Sequence, residues 1–64
     1  MQNLITVGTR VEVLDNLGAG PIRQGTVTDT NVRYDDFMFP AIVYQDDDGQ
    51  ERWCFERQIL DIIE

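Results

Sequence analysis

Alternation with a period of two constrains this chain more than any other feature. Between Thr9 and Leu14, Val11 and Val13 share one face while Arg10 and Glu12 share the other, as expected for a strand with one side buried. Short apolar runs of this kind recur to the end of the chain. Each is closed by turn residues, which is the pattern of an all-β domain. No repeat, linker or low-complexity tract divides the sequence, so residues 1–64 read as one domain.

Gly8 precedes the first strand, and Asp15-Asn16 follow it as turn material. The segment Asn16-Leu17-Gly18-Ala19-Gly20-Pro21 reads as a loop, because Gly and Pro favour backbone angles that regular elements do not use. A second strand runs from Ile22 or Arg23 to Thr30, with room to continue through Val32 and Tyr34. Its alternation places Gly25, Val27 and Asp29 on one face. Thr26-Val27-Thr28 supplies β-branched density, and Gly25 marks a bulge or a strong bend.

Asp35-Asp36 turns the chain into a third strand, from Phe37 to Gln45. Pro40 interrupts it and belongs at an edge or bulge, having no N–H to give to a ladder. Beyond it, Ala41 and Val43 point one way, and Ile42 and Tyr44 the other. Asp46-Asp47-Asp48-Gly49 is a hairpin turn, and Glu51 to Phe55 is the fourth strand, with Trp53 and Phe55 on one face. The tail, Glu56 to Ile63, reads as one short 3-10 or helical turn and a brief final strand burying Ile59 and Ile62. Val11, Val13, Val27 and Val43 are expected to converge on the interior.

A chain of 64 residues buries only about 60% of its unfolded surface, so its core is modest. Cys54 is the only cysteine and there is no histidine, which excludes an internal disulfide and a Cys/His zinc site. A lone thiol fits a reducing compartment. No run approaches the roughly 20 apolar residues of a membrane span, and Met1 to Thr6 lacks the basic start and apolar run of a leader. A cytoplasmic location is the expectation.

Twelve acids oppose five arginines with no lysine, for a net charge of −7. Such a surface repels phosphates and anionic lipids, so nucleic acid and membrane are poor partners. A basic protein surface is the favoured one. Acidity also keeps a small protein soluble.

The segment Ala41-Ile42-Val43-Tyr44-Gln45-Asp46-Asp47-Asp48-Gly49, followed by Glu51-Arg52-Trp53 and Gln58-Ile59-Leu60, resembles the second half of a Tudor domain. Gly8-Thr9-Arg10-Val11-Glu12-Val13 and Gly25-Thr26-Val27 resemble its first two strands, and KOW modules share this grammar. The resemblance implies a small five-stranded SH3-like (Tudor-like) barrel. It also implies an aromatic cage for methylated cations, which are drawn to ring faces. Tyr44 matches one cage position, whereas Asp47 or Asp48 stands where a second ring belongs and Leu14 where a third does.

Three aromatics and a methionine fall within Tyr34-Asp35-Asp36-Phe37-Met38-Phe39-Pro40. Some of these side chains are needed by the core. The others make an apolar patch with an acidic border, a composition that protein interfaces use. The candidate contact residues are Tyr34, Asp35, Asp36, Phe37, Met38, Phe39, Tyr44 and Trp53, with Arg33 beside them. The acids of 46–48 extend the border. The expected function is a non-enzymatic protein–protein interaction module or accessory subunit. The alternatives are an acidic inhibitor imitating nucleic acid in a basic groove, and a structural subunit of a larger complex, for which SH3-like subunits of electron-transfer assemblies offer a precedent in fold.

Catalysis and cofactors are not expected. Asp35, Asp36, Glu51 and Glu56 have no nucleophile or histidine to work with, and a chain this short hardly encloses a cleft. The acidic turn 46–48 lacks the closing Glu of an EF-hand loop, so no metal is expected there. Cys54, between two aromatics in a strand, reads as a packed thiol.

Overall fold

The structure, a computed structural model, describes residues 5–63. Met1–Leu4, part of the segment read above for leader features, and Glu64 lie outside the described residues. Five strands, β1 (Arg10–Leu14), β2 (Ile22–Val32), β3 (Ala41–Asp46), β4 (Glu51–Cys54) and β5 (Ile59–Ile63), form one antiparallel sheet in the order β4-β3-β2-β1-β5. Two 3-10 turns, Asn16–Gly18 and Glu56–Gln58, are the only helical elements among the described residues. The radius of gyration is 10.8 Å, against about 10.7 Å for a compact chain of this length.

Alternation in β1 buries Val11 and Val13, which meet Val27, Ile42, Tyr44 and Cys54 in one apolar cluster with Ile5 and Ile59 packed against it. β2 is the longest strand and pairs with both β1 and β3. After β4, the turn Glu56–Gln58 sets the chain back beside β1. The buried Gln58 holds it there, accepting from the Phe55 N–H at 2.8 Å and donating to the Leu14 carbonyl at 3.0 Å. β4 and β5 remain the two edges, so the expected closure into a barrel is not reached by strand pairing.

Four local expectations are corrected. The third strand starts at Ala41, not Phe37, and residues 37–40 lie outside the sheet, with Pro40 immediately before the ladder it cannot join. Gly25 carries no bulge: the register of β2 on β3 shifts instead between Val27 and Asp29 and again before Val32. That shift breaks the alternation, so Asp29 is exposed while Gly25 and Val27 are buried. Val43 does not join Val11, Val13 and Val27. Ile42 and Tyr44 take the core face, and Ala41 and Val43 are buried on the other.

Candidate functional site

β4 alternates about Cys54, which points into the core, so Trp53 and Phe55 stand on the outer face of the sheet. Val43 lies opposite Trp53 on that face. The loop 33–40 folds over it. A turn at Asp35-Asp36, closed by the Phe37 N–H on the Tyr34 carbonyl at 3.0 Å, brings Tyr34 and Phe37 onto the two β4-side rings.

Phe37 is the hub of the resulting four-ring layer. Its centroid lies 4.7 Å from Trp53, 5.1 Å from Tyr34 and 5.2 Å from Phe55. Trp53 also meets Phe55 at 5.5 Å and Tyr34 at 6.3 Å. The pairs are tilted or edge-to-face, the arrangements that ring quadrupoles favour. Phe37 is half-buried, whereas Tyr34 and Trp53 keep 41% and 38% of their surface exposed. Met38 at 85% and Phe39 at 62% project from the same loop. Phe39 and Pro40 line a groove with Phe55, Glu56 and Arg57. This is a stacked apolar layer with an outer fringe left to solvent.

The expected contact residues therefore divide. Tyr34, Phe37 and Trp53 come together, Met38 and Phe39 border them, and Asp35 and Asp36 are exposed at the loop tip. Tyr44 is the correction. It is completely buried in the valine core and presents no ring face to a ligand, so the cage position implied by the Tudor resemblance is not available. Phe55 is the ring that sequence reasoning left out of the surface. Its alternation with Trp53 was the signal that places both on one face.

A polar network joins the β3–β4 hairpin to the start of the 15–21 loop. Arg52 donates to Asp46 at 2.5 Å and to Asp15 at 3.4 Å, and Arg23 donates to Asp15 at 2.7 Å. Asp46 is not a solvated turn residue: it is buried and accepts from the backbone N–H groups of Asp48 and Gln50 as well as from Arg52. The Arg52 hydrogen bond and those two N–H groups outweigh desolvation and hold its carboxyl below the usual aspartate range. Desolvation alone would raise Asp15, but the Asn16 N–H, Arg23 and Arg52 together bring it down.

These partners occupy two carboxylates and two guanidiniums, and Arg10 engages Asp47 at 3.0 Å. Asp35, Asp36, Glu51 and Glu56, all near the rings in the chain, form no ion pair among the described residues. Burial, aided by the Asp15 charge, pushes the Cys54 thiol and the Tyr44 hydroxyl each up to about 12. Neither ionises near neutrality, and Cys54 is an inert core thiol.

The loop 15–21 makes a second exposed apolar group. Leu17 has φ 56° and projects outward beside Pro21 and the exposed Ile22, across a groove from Trp53. The Asp15 carbonyl accepts from the Gly18 and Gly20 N–H groups and holds the loop in that shape. The chain matches no known protein family, no curated protein and no solved structure.

Proposed function

We propose that this protein is a non-enzymatic protein–protein interaction module, an adaptor or accessory subunit of the cytoplasm, that binds a basic partner through the ring layer of Tyr34, Phe37, Trp53 and Phe55. One observation carries this reading: Met38 and Phe39 project into solvent from a loop that Phe37 anchors on three other rings. A loop that served only the core would turn those side chains inward. An anchored loop that presents them supplies preorganised contact area, and aromatics with an acidic border bind by burying rings and steer by charge. In fold, the strand order β4-β3-β2-β1-β5 and the 3-10 turn before β5 support an SH3-like, Tudor-like relationship.

The test is comparative capture from a native extract. Met38→Ser with Phe39→Ser removes partners that the wild-type chain retains. Leu17→Ser with Ile22→Ser, which alters the other exposed apolar group, leaves them bound. The reverse pattern would move the contact surface to the 15–22 loop.

The carboxylates without an ion pair among the described residues favour a second reading, imitation of nucleic acid in a basic groove. Under that reading binding collapses with added salt and survives the Met38/Phe39 change.

A further inference from the structure

The ring layer already carries a cation of its own. The Arg57 guanidinium lies 5.9 Å from the centroid of the Phe55 ring, at the outer limit of cation–π contact. Arg57 forms no ion pair among the described residues, although the chain has seven more acids than bases and Glu56 is its neighbour. Arg10, Arg23 and Arg52 each engage carboxylates. Arg57 instead lies over a ring. The groove beneath it is lined by Phe39, Pro40, Phe55 and Glu56, so it offers two rings, a proline and one carboxylate that no arginine has claimed among the described residues.

From this we infer that the Phe39–Phe55 groove is a seat for an arginine side chain of a basic peptide segment, and that Arg57 is a weak internal occupant that the incoming guanidinium displaces. This rests on the contact reading above and narrows it from a basic partner to a recognised group. A guanidinium stacks flat on a ring and is more weakly hydrated than an ammonium. Its charge is answered by Glu56 at the groove. A loosely held internal arginine lies over Phe55 alone in the free protein and yields to a ligand that satisfies stacking and carboxylate contact together.

Trp53 is the only tryptophan and belongs to the layer, so its emission reports occupancy. Titration uses acetyl-Gly-Arg-Gly-Arg-Gly-amide, the matched lysine peptide and the matched citrulline peptide, which keeps the plane and loses the charge. The arginine peptide gives a saturable change, the lysine peptide binds more weakly, and the citrulline peptide is weaker by about fivefold or more. Arg57→Gln tightens the arginine peptide by about threefold. Arg33→Gln removes the same charge from a residue that covers no ring among the described residues, and tightens it clearly less.

Equal effects of Arg57→Gln and Arg33→Gln would reduce the change to net charge and overturn the proposal. So would equal affinity for the arginine and lysine peptides, or no saturable response of Trp53. Any of these results, with the Met38/Phe39 capture effect intact, sinks the guanidinium seat alone. Loss of the capture effect sinks the contact surface itself.

Discussion

Gly25 stands where the β2 backbone lies hard against Tyr44 and Gln45 of β3. A Cβ there would meet the Gln45 carbonyl oxygen in hard collision and lie 2.8 Å from Cδ2 of Tyr44. The glycine is required by space, since neighbouring backbone cannot move aside without breaking the ladder. Gly25→Ala is expected to destabilise the fold by at least about 2 kcal/mol, or about 10 °C in melting temperature. A thermal melt within about 2 °C of wild type would mean that β2 and β3 separate more easily than this packing implies. The need for a special residue at position 25 was legible in the sequence, but its reason was not: a bulge and a close approach leave the same glycine. Tyr44 teaches a related lesson. Period two tells which side chains share a face, not which face is inside. In β3, Ala41, Ile42, Val43 and Tyr44 are all buried, so this apolar run does not itself mark the outside.

Among the elements, β1, the 46–50 hairpin, β4 and the tail follow the pattern of apolar runs and turn residues closely, because one face of each is solvated or one turn chemistry dominates. Residues 37–40 do not. Their aromatic density reads as strand, yet Pro40 ends the ladder and the rings pack on the outside of the sheet rather than within it. The ion-pair chain through Asp15, Arg23, Arg52 and Asp46 was also illegible, since the link from Arg52 to Asp15 joins residues 37 apart in sequence. It has a pH consequence. Both aspartates have folded pKa values below their ordinary 3.8, so the stability they contribute is complete above about pH 4 and is lost as pH falls through the folded values. The urea midpoint of wild type is expected to fall further between pH 6 and pH 3 than that of Asp15→Asn with Asp46→Asn. The comparison cancels the general relief of acidic self-repulsion. Parallel losses in the two proteins would show that the chain of pairs does not tie these elements together.

At the scale of the molecule, one sheet carries two apolar layers of different kinds. The valine core is closed and complete: Val11, Val13, Val27, Tyr44 and Cys54 have almost no exposed surface. The ring layer on the other face is built from the 33–40 loop and β4, and it is covered only in part. A small domain has little stability to spare, and this one keeps Met38 and Phe39 outside both layers. The proposed contact surface requires that the core which folds the chain be separate from the fringe that would meet a partner. The most direct test is Phe39→Ala, with urea unfolding and partner capture measured on the same preparation. Stability within about 0.5 kcal/mol of wild type together with a clear loss of capture is expected. Destabilisation by more than about 2 kcal/mol, or capture undiminished, would contradict it.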